Sequence, residues 1–296
     1  MLIAPKEIKT SIFHSYMLSA IAPRPIAFAS TVDLEGRPNL APFSFFNAFG
    51  SNPPIVVFSP ARRVRDNTLK HTLENILETK EVVINVVNYS MVRQASLASS
   101  EYPKGVNEFI KAGFTPIKSH LIKPYRVKES PVQMECKVLE VKETGKMGGA
   151  ANLIICEILL MHIDDAVLTP DFKIDPNKID LVSRMGGNLY CRASGSALFE
   201  VAKPQMIPGI GIDGLPESIR NSHILTGNNL GQLGNINILP DENTIQDYCR
   251  KDFMKEIFKR FGHDKNLLRQ KLHELAKTLL EKEHIDEALL VLLSSL

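Results

Sequence analysis

Two short apolar runs, residues 26–32 and 55–59, are rich in β-branched, aromatic and small side chains; each follows prolines and contains none. Between them Asn39-Leu40-Ala41-Pro42-Phe43-Ser44-Phe45-Phe46-Asn47 alternates apolar and hydroxyl residues around a proline. Short strands with stiff connections of this kind build the wall of a barrel, not a helical core. Asp33-Leu34-Glu35-Gly36 predicts a turn after the first strand, with a short strand returning over residues 37–41. Ahead of this wall, residues 12–20 read as a short helix.

Beyond residue 60 the period changes. Leu69, Leu73, Ile76 and Leu77 recur at helical spacing, and Asp66 or Asn67 is the natural N-cap, so a helix is expected from about residue 67. Residues 82–87 (VVINVV) read as a strand buried on both faces, 89–99 as helical, and 107–112 as a short helix stopped by Gly113. Two long strand candidates, 132–141 and 152–163, are joined by Thr144-Gly145-Lys146-Met147-Gly148-Gly149-Ala150, which predicts an antiparallel hairpin with a flexible loop. Residues 164–205 are loop-rich and 206–240 irregular. Helical patterning then follows: Ile245, Cys249, Phe253 and Ile257 form one stripe, Leu268, Leu272, Leu275 and Leu279 a second, and residues 285–293 a strongly apolar third. The expected organisation is a β-rich domain over residues 1–205 and a helical extension over 206–296.

Composition adjusts this picture only at its edges. The 296 residues are 44% hydrophobic, enough for one large domain or a domain with an appendage. The net charge of +2 is smaller than the clustered excess of a nucleic-acid binder. Cys136, Cys156, Cys191 and Cys249 are far apart and form no CxxC, so each reads as a small buried side chain. The N-terminus carries Lys6 and Lys9 without a following apolar run, and no stretch reaches membrane-spanning length; a cytoplasmic protein is expected, without a membrane or nucleic-acid partner.

The most suggestive chemistry lies around residues 59–68. A helix N-terminus offers free amides and partial positive charge; Arg62, Arg63 and Arg65 add full charges, and Ser59 and Thr68 add hydroxyls. The segment can cradle a phosphate, or it can be a solvated charged loop before a capped helix. Gly209-Ile210-Gly211-Ile212-Asp213-Gly214 fits GxGxxG but lies among Pro204, Pro208 and Pro216, which rules out the strand and helix that a dinucleotide fingerprint needs. No HExxH or GxSxG occurs. Glu135 and Glu157 fall in facing strand candidates, where they can act as an acid/base pair or pair with Arg or Lys. A phosphate cradle on a barrel that advertises no nucleophile or metal set points to a bound cofactor carrying the chemistry.

Several motifs together resemble the flavin reductase-like family with its FMN-binding split barrel: Pro23-Arg24-Pro25-Ile26-Ala27-Phe28-Ala29-Ser30-Thr31, Asn39-Leu40-Ala41-Pro42-Phe43-Ser44 and Phe58-Ser59-Pro60. Asp66-Asn67-Thr68 with Asn75-Ile76 resembles the family's Asp-Thr-x-x-Asn-Ile segment, with Asn67 intervening, and the likeness runs over roughly residues 10–200. The resemblance implies a mainly β fold with helices: a six-stranded antiparallel FMN-binding split barrel, here with a C-terminal α-helical extension. It also implies a homodimer holding noncovalent FMN, and NAD(P)H as the reductant whose hydride the flavin passes on as electrons to free flavin or a partner protein. By position Thr31, Asn39, Ala41, Phe43 and Ser44 would border the ring and ribityl chain. Ser59, Arg62, Arg63, Asp66 and Thr68 would lie near the phosphate, with Asp66 capping the helix or orienting an arginine because it cannot bind a dianion itself. Arg24 is a candidate for positive charge at the ring's N1–O2 edge, or for a structural ion pair. Two other readings stay open: an FMN-binding electron carrier of flavoredoxin type without efficient NAD(P)H oxidation, and a barrel that has lost flavin and serves as a binding module. Leu215-Pro216-Glu217-Ser218-Ile219-Arg220 and Leu225-Thr226-Gly227-Asn228-Asn229-Leu230-Gly231 resemble segments of longer relatives. For the extension, intersubunit packing, a lid over the flavin and partner docking all fit.

Overall fold

The structure, a computed structural model, describes residues 1–201, 203 and 207–294. The chain divides into two compact units, Met1–Phe199 and Glu200–Leu296. The boundary expected at residues 205 and 206 lies outside the described residues.

In the first unit helix α1 (Thr10–Ala20) precedes four strands, β1 (Ala27–Val32), β2 (Pro38–Phe43), β3 (Phe46–Ser51) and β4 (Pro54–Phe58). Helix α2 (His71–Thr79), β5 (Glu81–Val86), and the short helices α3 (Val92–Leu97) and α4 (Glu108–Ala112) follow. A small pair, β6 (Pro116–Ile117) and β7 (Arg126–Val127), leads into the long hairpin of β8 (Val132–Glu143) and β9 (Asn152–Ile163). Helix α5 (Pro176–Ile179) and a second small hairpin, β10 (Leu181–Arg184) with β11 (Tyr190–Ala193), close the unit.

The main sheet has seven strands in the order β2-β1-β5-β8-β9-β4-β3, all antiparallel. That is one more than the six expected, and the addition is β3. Its residues Asn47, Gly50 and Ser51 carry little strand propensity, and five of its six positions are exposed. It forms because β4 offers it an edge, and a bulge between Ala48 and Gly50 takes up the mismatch. β2 tolerates Pro38 and Pro42 because it is the other edge.

β1 is buried along its whole length, which explains its unbroken apolar pattern. Ala27 and Ala29 face a cluster with Val56, Phe58, Ile84, Cys136 and Ile154, into which α2 inserts Leu73 and Ile76. Phe28 faces the other way, packing with Leu40, Met91, Phe109 and Phe114. The hairpin of β8 and β9 forms as expected, and so does α4, with Asn107 accepting from the Phe109 amide and Gly113 left-handed at its end. The 89–99 segment contributes only the six residues of α3 as helix. Cys136 and Cys156 are core side chains, and burial pushes the Cys156 thiol up to about 12. Cys191 and Cys249, expected to be buried, are only half-buried.

The second unit is helical: α6 (Glu217–Arg220), α7 (Gly227–Gly234), α8 (Glu242–Cys249), α9 (Asp252–Phe261), α10 (Lys265–Leu280) and α11 (Ile285–Leu293). The segment expected to be irregular thus holds α6 and α7. The first stripe belongs to two helices that break at Arg250 and Lys251, so Tyr248 and Met254 are buried and Phe253 is exposed. On α10 the buried face is Leu272, Ala276 and Leu280, against which α11 packs Ala288, Leu289 and Val291. The GxGxxG match lies in turns, as expected of a decoy. Gly209 is required there because a Cβ would meet the Gly234 carbonyl oxygen at 2.5 Å.

Candidate functional site

The chain leaves β4 at Ser59, whose amide donates to the Phe45 carbonyl at 2.9 Å, and runs beside the loop of the β8–β9 hairpin. The Arg62 amide donates to the Ala150 carbonyl at 2.9 Å, the Gly149 amide to the Arg62 carbonyl at 3.0 Å, and the Asn152 side-chain amide to the Pro60 carbonyl at 2.8 Å. This approach needs a glycine at 148: a Cβ there would meet the Val64 carbonyl oxygen at 2.9 Å and that of Arg63 at 3.0 Å. Where the two segments meet, Ser59 Oγ, Arg62 Nε and Asn152 Oδ1 are buried without a hydrogen-bond partner among the described residues. Buried polar atoms are ordinarily paired, so three orphans on neighbouring segments mark a place built for a polar guest.

Arg63 is held from behind. Its Nη1 donates to Thr68 Oγ1 at 2.9 Å and to the Leu69 carbonyl. The Thr68 hydroxyl in turn donates to Asp66 Oδ1 at 2.6 Å, and the Thr68 amide donates to the same oxygen at 3.0 Å. These two bonds, the hydroxyl's first, with Arg65 adding to them, bring the Asp66 carboxyl down to about 2, so it is ionised at neutral pH. Asp66 therefore caps a tight turn, in which Asn67 is left-handed, and pairs with Arg65 at 3.1 Å. It does not cap α2. That helix begins at His71, with Lys70 at the N-cap position and no side-chain cap. The arginine-rich segment folds into its own turn first because the Asp66–Thr68 bonds compete with helix initiation. The Lys70 carbonyl takes the amides of Leu73 and Glu74, so the amides of His71 and Thr72 have no helical partner.

Those two residues belong to a cleft of about 100 Å³ whose wall includes Asn39, Ala41, Phe43, Arg63, Lys70 and Thr72. Burial and the charge of Arg63 push the Lys70 ammonium below its ordinary range, and Glu101 opposes them. Glu101 lies 3.3 Å from Arg63, 3.2 Å from Arg65 and 4.0 Å from Lys70, one carboxylate among three cations. Arg62 donates from Nη1 to the Asn67 carbonyl at 3.4 Å, and the acid nearest to it among the described residues is Glu143, at 3.9 Å. Positive charge is in excess here.

The remaining residues proposed from sequence are placed as follows. Thr31 is fully buried in the sheet, its hydroxyl accepting from Asn75 Nδ2 at 3.1 Å. The Asn39 side chain is spent inside: Nδ2 donates to Glu108 at 3.0 Å, and Oδ1 accepts from the Thr72 hydroxyl at 2.7 Å. Phe43 packs its ring against Phe58, with centroids 5.6 Å apart. Ser44, just past the end of β2, lines a second cleft of about 390 Å³ that also includes Ser96, Arg184 and Tyr190. The two clefts share Pro42 and Ser99. Arg24 forms no ion pair among the described residues: its guanidinium donates to the carbonyls of Leu18 and Ile21 (2.6 Å to the latter) and so ends α1. Glu135 and Glu157 do not face each other, because Glu157 lies opposite Lys137 and Glu135 opposite Leu160. Glu135 instead accepts from the amides of His120 (2.8 Å) and Leu121 (2.7 Å) and bonds His162 at 2.7 Å. Sequence reasoning missed Lys70, Glu101, Glu108 and Asn152. Asn107-Glu108 at a helix start was the only signal among them; the other three reach the site through tertiary contacts.

The sequence model of the family described as "Flavin reductase like domain" matches residues 18–174. This chain belongs to the flavin reductase-like family. Among solved structures, nitrilotriacetate monooxygenase component B of Bacillus cereus is 28% identical, with a TM-score of 0.63 over 68% of this chain and 98% of that one. The 2-nitrobenzoate 2-nitroreductase of Pseudomonas fluorescens is 25% identical, with a TM-score of 0.62 over 71% and 100%. A Shewanella frigidimarina protein, described as of flavin reductase type with a split barrel domain, is 27% identical, with a TM-score of 0.57 over 68% and 100%. The seven-stranded unit is thus the split barrel of the flavin reductase-like family, and the helical unit lies beyond the matched residues. Among the described residues no helix is long and apolar enough to cross a membrane.

Proposed function

We propose that this flavin reductase-like chain binds FMN noncovalently and is an oxidoreductase that uses NADH or NADPH to deliver electrons to free flavin or a partner protein. The observation that carries this reading is the group of orphaned buried atoms, Ser59 Oγ, Arg62 Nε and Asn152 Oδ1, beside the excess charge of Arg62, Arg63 and Lys70. A phosphate ester fits this set: Ser59 and Arg62 supply donors, Arg63 is pre-positioned by Thr68 and Asp66, and the amides of His71 and Thr72 add a helix N-terminus. Asn152 Oδ1 would accept from a ribityl hydroxyl. Ala41, Phe43 and Ser44 would border the ring system, and Thr31 and Asn39 act behind them by fixing α2 and α4 against β1 and β2. The bound flavin supplies the two-electron chemistry, while the protein supplies binding, orientation and charge. Anaerobic mixing of the FMN-loaded protein with NADH or NADPH is expected to bleach the flavin absorbance on the timescale of turnover. Flavin that stays oxidised with both nucleotides would sink the reductase reading in favour of an electron carrier.

We also infer a homodimer. Met161 and Ile163, two apart on β9, share one face and are both exposed, apolar surface that a monomer would leave in water. Sedimentation equilibrium is expected to give twice the chain mass, reduced to one chain in Met161→Lys; a monomeric parent protein would refute the dimer.

A further inference from the structure

The helical unit holds a cleft of about 600 Å³ that the flavin reading does not use. Its wall is polar on purpose of spacing: Asn266, Arg269, Gln270 and His273 recur at three- and four-residue intervals, so they share one face of α10. Ser218 of α6 completes it. The buried face of α10, Leu272, Ala276 and Leu280, is turned to the core.

Within this wall His273 is 3% exposed. Its Nδ1 lies 2.7 Å from Ser222 Oγ. The amides of Ile224 and Leu225 both donate to that same Oγ, each at 3.2 Å. A hydroxyl oxygen has two lone pairs and one proton. With both lone pairs taken, the proton must go to Nδ1, so Nδ1 accepts and the ring carries its own proton on Nε2. Burial, with the charge of Arg269 adding to it, holds the imidazole below its ordinary range and keeps it neutral. Nε2–H is then a donor, and among the described residues it is buried without a partner; so is Ser218 Oγ. Arg269, four residues before His273, forms no ion pair or hydrogen bond among the described residues, and the wall's carboxylate, Glu217, faces Asn221 at 3.5 Å. The Ser222–His273 pair is not a nucleophile and its base, because Ser222 Oγ is committed to two backbone amides and no acid among the described residues holds Nε2.

Three donors without acceptors, one of them charged, define the complement: a group that only accepts and is negative. We propose that this cleft binds a small oxyanion, a carboxylate or a phosphate group, through the Arg269 guanidinium and the His273 Nε2–H, with the Ser218 hydroxyl as a third donor. The site is independent of the flavin reading, which fails or stands on residues of the other unit. Bonds from a charged donor are the strong ones, so losing Arg269 should be felt as a change of about tenfold or more in affinity.

The test uses the full chain labelled with ¹⁵N-histidine, titrated separately with inorganic phosphate and with acetate at neutral pH. The His273 ring is expected to show the Nε2–H tautomer and a saturable shift with at least one anion, and the tighter of the two identifies the headgroup. Arg269→Ala, an exposed change, should weaken that shift about tenfold or more with the other histidine signals in place. Because the arginines of the barrel can also take phosphate, the His273 signal and not total binding is the readout. A ring protonated on Nδ1, no shift with either anion, or undiminished affinity in Arg269→Ala would each overturn the proposal.

Discussion

Replacing Arg62 and Arg63 together by alanine is expected to weaken FMN binding by about 100-fold or more, measured by flavin fluorescence titration of the apoprotein. A charge-assisted hydrogen bond contributes about 1.5–3 kcal/mol, so two lost contacts amount to about 3 kcal/mol at the least. The side chains are only 17% and 16% exposed, so their charges are weakly screened. Arg65 is the control. Its side chain is 74% exposed and is turned to Asp66 and Glu101, and Arg65→Ala should leave the affinity nearly unchanged. An unaltered dissociation constant in the double variant would remove the phosphate from this segment. Equal losses in Arg65→Ala would show that net charge, and not this placement, holds the flavin.

The second large effect concerns Glu108, which is 4% exposed. Its carboxylate accepts from Asn39 Nδ2 and from the Leu40 amide, both at 3.0 Å, and Asn39 in turn accepts from the Thr72 hydroxyl. One acid thus ties α4 to β2 and, through Asn39, to the first turn of α2. Glu108→Ala leaves two buried donors unpaired at about 1–3 kcal/mol each, a loss of about 2–6 kcal/mol in urea unfolding. Glu108→Gln should fall between, since its carbonyl oxygen satisfies one donor while its amide faces the other. A cost below about 1 kcal/mol in Glu108→Ala would mean that water or a shifted side chain replaces the carboxylate.

The strands that carry the apolar core were legible because burial writes itself into composition: β1, β4, β5 and the β8–β9 hairpin all lie where apolar runs place them. β3 was not, since its partner and not its own residues makes it a strand. The start of α2 was misplaced for a related reason. Asp66 and Thr68 are good capping residues, and they do cap, but the turn they cap is closed by an arginine and a hairpin loop from 79 residues away, as the bond from Asn67 Nδ2 to the Lys146 carbonyl shows. The run of arginines was visible as charge. That Arg63 is braced and Arg65 is spent on acids was not, because partners separated in sequence decide it.

In the extension the same division holds more sharply. The stripes of leucine announced helices, whose faces follow from a period of 3.6. Nothing in the spacing of Ser222 and His273, 51 residues apart, announced that one would set the tautomer of the other. By itself the sequence determined the family, the strand-rich and helical halves, and a concentration of positive charge before α2. The tertiary structure alone decided which arginines are free to meet a ligand and which buried donors lack acceptors. Local pattern records how each residue meets solvent, whereas hydrogen-bond satisfaction depends on partners that only folding brings within 3 Å.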